Sequence, residues 1–480
     1  MDPHRFASVI SPGDYEALLA LIDDGARALH GRVIWNVNST AKGGGVVELL
    51  RTMLGYSRGG GVDARWVVIS SEPAFFEVTK RLHNHLHGFD GDGGGVSGAE
   101  RTIYERTLAA NAAELVPLLH PQDIVILHDP QTAGLIDAVR STGATVIWRC
   151  HIGLDRPNSR AREAWDFLRG YVLAADAYVF SRATFAWEGL DQERIAVIQP
   201  SIDAFSPKNQ SQSPQQSLSI LACAGILSDR ATGDATFTRA DGTPGRVDRR
   251  AEMLEVAQLA SDDPLVVQVS RWDRLKDPLG VMRAFAEHVA GESPAHLLLA
   301  GPGAASVADD PEGAAVFAEV AEAWRGLPRD VQPRVHLASL PMADIEENAA
   351  IVNALQRRAD IVVQKSLAEG FGLTVAEAMW KERPVVASRI GGIQDQIVDG
   401  ESGVLITDPR DLTEFGAAIV ALLNDPERAQ RIGAAAHARI AEHFLGPYHL
   451  GRYFELIQRL VSRREQSALG ESLAAGTSPS

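Results

Sequence analysis

Two glutamates bracket a glycine-rich turn in the segment Glu369-Gly-Phe-Gly-Leu-Thr-Val-Ala-Glu377. Gly370 and Gly372 let the backbone come close to a ligand. A helix opening at Thr374 would turn the amides of Phe371, Gly372, Leu373 and Thr374 outward at its positive end, which makes an anion cradle. Glu377 falls about one turn into that helix, where a carboxylate can grip the vicinal diol of a ribose, and Glu369 in front of the loop can hold sugar hydroxyls. A glycosidase also works with two carboxylates, but hydrolysis does not need an anion cradle between them. The plainer reading is a capped helix with two surface glutamates.

A second segment, Ser270-Arg-Trp-Asp-Arg-Leu-Lys276-Asp-Pro278, puts two cations in one loop. Arg271 supplies forked donors and Lys276 a point charge, a pair suited to the β-phosphate of a leaving nucleoside diphosphate. Taken alone, it is also what a solvated basic turn looks like. The third segment runs Asn36-Val-Asn-Ser-Thr-Ala-Lys-Gly43-Gly44-Gly45-Val46. It has neither the G-x-G-x-x-G spacing nor an acid after the next strand, which argues against a nicotinamide dinucleotide. Gly43, Gly44 and Gly45 could let a donor phosphate or an acceptor sugar approach the backbone, and Asn38 is an acceptor-side candidate; a simple tight turn is the alternative. In His83-Asn-His85-Leu-His87 no third ligand follows, so a solvated or acceptor-facing His83 is favoured over a metal site. His128-Asp129 and His151 fall at strand ends, where they either meet the sugars and the developing charge or are satisfied structural groups.

These residues need strands and helices to position them. Short apolar, β-branched runs alternate with amphipathic stretches, the pattern of parallel strands covered by helices on both faces. Strands are expected over 33–36, 66–70, 124–128, 145–150, 177–180 and near 196–199, then again over 265–270, 296–300, 335–337, 361–364 and 385–388. That is an α/β chain of two Rossmann-like, doubly wound domains facing across a cleft, with the motifs just after strands. The first domain is expected over 1–206, a linker and surface excursion over 207–250, the second domain over 251–446, and a disordered polar tail over 467–480. The chain has 480 residues, 45% of them hydrophobic, which is enough for two cores. The net charge of −16 disfavours nucleic acid and anionic membrane surfaces as partners. Two cysteines, no signal-peptide pattern and no apolar run of roughly eighteen residues fit a cytoplasmic protein.

The segments NST-x-x-GGGV, HDPQ, WRCHI-x-x-x-x-PN, QPSIDAFSPKN, VSRWDRLKD, DDPEG, EGFGLTVAEAMWK and IVDGESG occur in order, within a similarity that covers residues 33–460. Together they resemble the trehalose glycosyltransferring synthase and trehalose phosphorylase group of retaining GT-B glycosyltransferases. The resemblance implies a nucleoside-diphosphate glucose donor, a glucose acceptor and α,α-trehalose as product, with phosphorolysis, another acceptor or a non-catalytic sugar-nucleotide sensor as alternatives. It assigns Arg271 and Lys276 to the diphosphate, Glu377 to the ribose, Glu369 and its glycine loop to the donor sugar, and Gly43, Gly44 and Gly45 with His151 to the reaction centre. No cofactor is required, although a divalent cation could assist without being essential. The partners are small molecules, with a homodimer as one assembly the chain could adopt. A helix over 447–466 would cross back to the first domain. Relatives usually read C-H-I-D where this chain has Cys150-His-Ile-Gly153, and they carry a fuller His-Asp-Asp-Pro run than Val307-Ala-Asp-Asp-Pro311. The donor base, the physiological direction and the role of the excursion are not written in these motifs.

Overall fold

Runs such as Ile34–Asn38 and Val385–Ser388 are buried along their whole length, which requires helices on both faces of their sheets. The computed structural model describes residues 1–41, 44–229, 233–303 and 312–475. The chain divides into two compact units, Met1–Ser201 with Gly446–Ser480, and Ile202–Leu445.

In the first unit, β1 (Ile34–Asn38), β2 (Ala64–Val68), β3 (Ile124–His128), β4 (Thr145–Cys150), β5 (Ala177–Phe180) and β6 (Ile195–Val197) form one parallel sheet in the order β2-β1-β3-β4-β5-β6. Alternate residues separate its two faces. Val125, Val146 and Tyr178 join one core cluster, whereas Ile34, Ile126, Ile147 and Val179 join another that is closed by Tyr453, Leu456 and Ile457 of the terminal helix Gly446–Ala475. Along that second face the carboxyl ends turn polar: Asn36 follows Ile34, His128 follows Ile126, Arg149 follows Ile147 and Ser181 follows Val179.

The second unit carries, ahead of its main sheet, a hairpin of β7 (Thr236–Thr238) and β8 (Pro244–Arg246). Its sheet comprises β9 (Glu252–Leu254), β10 (Leu265–Val269), β11 (His296–Pro302), β12 (Val335–Leu340), β13 (Ile361–Gln364), β14 (Val385–Ser388) and β15 (Val404–Ile406), in the order β15-β14-β13-β10-β11-β12-β9. All pairs are parallel except β9 with β12, an edge strand too short to be seen in the hydrophobic pattern. Strand order reverses between β1 and β3 in the first unit and between β10 and β13 in the second, and open α/β sheets bind ligands at such switch points.

Within the stretch 207–250, expected as a linker and surface excursion, the Ser- and Gln-rich run folds into the helix Pro214–Cys223, capped by Ser213, whose Ile220 and Leu221 are buried against the helix Ile345–Arg358. Arg357 and Asn353 donate to the carbonyl of Gln210 and so tie the preceding loop down as well. The polar composition gave no sign of this, because those partners lie more than a hundred residues away. The terminal helix also continues to Ala475, past residue 467 where order was expected to end; residues 476–480 lie outside the described ones. No helix among the described residues is long and apolar enough to cross a membrane.

Candidate functional site

In the second unit, the loops after β10 and β13 lie side by side because these strands are neighbours. Lys276 ends a short turn, and its Nζ donates to Glu369 Oε2 at 2.5 Å, joining the two motifs across 93 residues. The Leu275 carbonyl accepts from Leu367 N–H at 2.7 Å, and the Lys276 carbonyl from Gln268 Nε2 at 2.8 Å, so the lysine backbone is fixed from both sides. Arg271 is more open, 41% exposed, and sits 3.3 Å from Asp273. The next residue, Asp277, takes the left-handed conformation (φ 48°), caps the following helix through Gly280 N–H and pairs with the buried Lys365.

The helix Leu373–Trp380 opens on Gly372 at φ 86° without a side-chain cap, so its first-turn amides remain for a ligand. The carbonyl side of the same loop is held instead. Gln396 Nε2 donates to the Phe371 carbonyl at 2.5 Å, and Gly392 N–H to the Gly370 carbonyl at 3.1 Å. Glu377 is buried, with Lys208 Nζ 3.5 Å from its carboxylate. Each of the paired glutamates therefore faces a lysine, an arrangement of charge clamps rather than of an acid and a base.

In the first unit, the polar end of the covered sheet face forms one network. His128 and His151 stack with ring centres 5.5 Å apart and share a hydrogen bond of 3.2 Å; His128 Nε2 lies 3.0 Å from Asn36 Oδ1. Asp129 sits at φ 63°, and its carboxylate accepts the His151 N–H at 2.7 Å. Burial pushes Asp129 up to about 7, against the pull of the His151 amide and of Arg149. Burial and the Arg149 charge hold His128 down to about 3 and His151 well below its usual range. His449, on the terminal helix, is likewise held to about 3 by burial.

These shifts set a pH dependence of stability. Each imidazole stays neutral in the fold but gains a proton on unfolding below its ordinary value of about 6.5, so stability is complete above that pH and is lost as pH falls toward 3. Asp129 works the other way between about 4 and 7, but it is one group against three. The urea midpoint is expected to fall from pH 7 to pH 5, and to fall less in His449→Gln. Equal slopes in both proteins would mean that His449 is not held neutral.

Not all of the expected residues join these groups. Asn38 is committed to the fold, accepting from Trp66 Nε1 and donating to the Thr40 carbonyl, both at 2.8 Å. His83 lies on the helix Pro73–Leu86, edge-on to His87 at 5.0 Å. Gly44 (φ 82°) and Gly45 open the helix Gly45–Gly59, whereas Gly43 lies outside the described residues, as do Val307 to Pro311. Among the described residues, no three His, Cys, Asp or Glu side chains gather as a metal site would need. Sequence reasoning missed Lys208, Lys365 and Arg149. Their positions in S-P-K-N, after β13 and within β4 were visible, but their partners were not.

Comparison with known proteins agrees with this layout. The family model for the N-terminal domain of trehalose synthase matches residues 36–187, and the group 1 glycosyl transferase model matches residues 345–439. The chain is 34% identical to a trehalose synthase of Pyrococcus horikoshii, covering 93% of this chain and 96% of that one. It is 36% identical to a trehalose synthase of Thermococcus litoralis, covering 88% and 89%. A trehalose phosphorylase of Grifola frondosa is more distant, at 24% identity over 84% of this chain and 54% of its own length. Among solved structures, Anabaena Alr3699/HepE in complex with UDP and glucose superposes with a TM-score of 0.58 at 18% identity, over 91% of this chain and all of that one, which places both in one fold.

Proposed function

The chain belongs to the trehalose synthase family of GT-B glycosyltransferases, and from that premise we propose that it transfers glucose from a nucleoside-diphosphate glucose to a second glucose with retention, giving α,α-trehalose. The observation that supports this reading is the Lys276–Glu369 contact, where an ammonium and a carboxylate meet at the switch point from which the uncapped helix Leu373–Trp380 also starts. Lys276, Arg271 and the amides of Gly372, Leu373 and Thr374 take up the charge of the departing diphosphate. Glu369 holds the transferring sugar, and Glu377 the ribose. The acceptor hydroxyl attacks on the face the diphosphate leaves, and the departing phosphate oxygen takes its proton. His151 and Asp129 serve the sugars in the first unit. An acidic chain with two free cysteines suits a cytoplasmic enzyme.

The test is a panel of nucleotide sugars offered with glucose, with the product linkage read by NMR. An α,α-linked disaccharide is expected; a β anomer, or tight nucleotide binding without product, would overturn the reading. Trehalose incubated with phosphate or with a nucleoside diphosphate separates phosphorolysis from reverse transfer. Glu377→Gln is expected to raise the donor KM about tenfold or more while largely keeping kcat, because it removes binding shared by ground and transition states. An unchanged KM would place ribose recognition elsewhere.

A further inference from the structure

Arg149 is fully buried at the end of β4 and has no carboxylate within salt-bridge distance among the described residues. Its Nη2 donates to Ser181 Oγ at 3.1 Å, while Nε and Nη1 meet no acceptor. A buried cation left in this state is strongly unfavourable, so a fold that keeps one has a use for the charge. Its register partner on β3 is His128, on the same sheet face. The hydrogen bonds around that ring have a fixed direction. Asn36 turns Oδ1, which can only accept, toward the ring and leaves its buried Nδ2 without a partner among the described residues; with the amide in this orientation His128 Nε2 carries the proton and donates at 3.0 Å. His128 Nδ1 is then a bare acceptor, and His151 Nε2–H donates to it at 3.2 Å. In a neutral His151 the remaining nitrogen, Nδ1, keeps its lone pair.

The order holds only while both rings are neutral, since a proton on His128 Nδ1 would set two donors against each other. The groups acting on the pair are Arg149 from β4 and His449 from the terminal helix, with Asp129, at the start of the helix Asp129–Thr132, bonded to the His151 amide. Of these, Arg149 is the permanent charge. We propose that Asn36, His128 and Arg149 are positioning residues that fix His151 as one neutral tautomer, its Nδ1 lone pair offered to a hydroxyl of the sugar substrate. The identity of that substrate rests on the reading of function given above; the tautomer does not.

Long-range proton–nitrogen spectra of the histidine-labelled free enzyme test the proposal directly. Wild type at pH 7 is expected to show His151 with a protonated Nε2 and a bare Nδ1. In Arg149→Met the protonation midpoint of the His128–His151 pair should rise by about one unit or more, and the acid limb of kcat/KM should move up with it, whereas Arg149→Lys restores both. Should Arg149→Met fail to fold, Asn36→Leu removes the terminal acceptor and should give a mixture of His151 tautomers. A bare Nε2 in wild type would overturn the proposal, as would an Arg149→Met protein whose midpoint and limb stay at the wild-type values. If the chain makes a product other than trehalose, the spectra keep their expected form and only the assay changes, so the two failures are distinguishable.

Discussion

Lys276→Ala is expected to lower kcat at saturating donor by about two to three orders of magnitude, the loss seen when one preorganised donor to a developing oxyanion is removed, about 2.7–4 kcal/mol. The size follows from how the lysine is held. Its side chain is 17% exposed, its carbonyl and that of Leu275 are both bonded, and its ammonium rests on Glu369, so little reorganisation is needed when charge builds on the leaving phosphate. Arg271 cannot take over. It is 41% exposed and directed at Asp273, and screening by water weakens a charge so placed. Substrate affinity should change less than turnover, because the diphosphate gains most of its charge only as the glycosidic bond breaks. The substitution also leaves Glu369 without its cation. Glu369→Gln, which keeps Lys276, therefore serves as the control, and thermal unfolding of both variants shows whether the loop survives. A loss in kcat below tenfold in Lys276→Ala would reassign leaving-group stabilisation to the helix amides.

The layering of the fold could be read from the chain because parallel strands buried on both faces are nearly continuous apolar runs, as in Ile124–His128 and Val385–Ser388. The two motifs after β10 and β13 stand out for a related reason: glycines and charges directly after such a run have few structural uses. Pairing was not legible. Lys208 reaches Glu377 across a long stretch of chain, and nothing in S-P-K-N marks it as an ion-pair partner. Lys365 follows β13 as a polar residue would at any strand end, yet it is buried against Asp277. Arg149 lies inside an apolar strand, where periodicity reads it as an interruption. The helix Pro214–Cys223 inside the stretch 207–250 was not legible because composition reports the side chains and not the helix Ile345–Arg358 on which they pack. The pair Gly391-Gly392 follows the apolar run Val385–Ser388 in the sequence, but its task depends on what lies against it.

That task leads to the second large effect. Gly391→Ala is expected to lower kcat/KM for the donor by about a hundredfold or more with little loss of overall stability. A Cβ at Gly391 would fall 1.8 Å from the Glu369 carbonyl oxygen and 2.9 Å from its carbon, so backbone must move, and the backbone that moves is that of Glu369, the glutamate proposed to hold the sugar. The next residue transmits the shift, since Gly392 N–H is bonded to the Gly370 carbonyl and Gln396 to that of Phe371. A displacement of about 1 Å in a site that works by positioning is enough for such a loss. Gly391 also has φ 47°, and conformational strain alone would lower stability by about 1 kcal/mol. Gly400 separates the two causes. It has φ 78°, and a Cβ there meets nothing within 4 Å, so Gly400→Ala carries the strain without the collision. Matched unfolding curves with kcat/KM falling only in Gly391→Ala would establish that this turn is the back wall of the donor loop. Equal kinetics in the two variants would mean that the loop tolerates displacement, and the case for a preorganised cradle at Glu369 would fail with it.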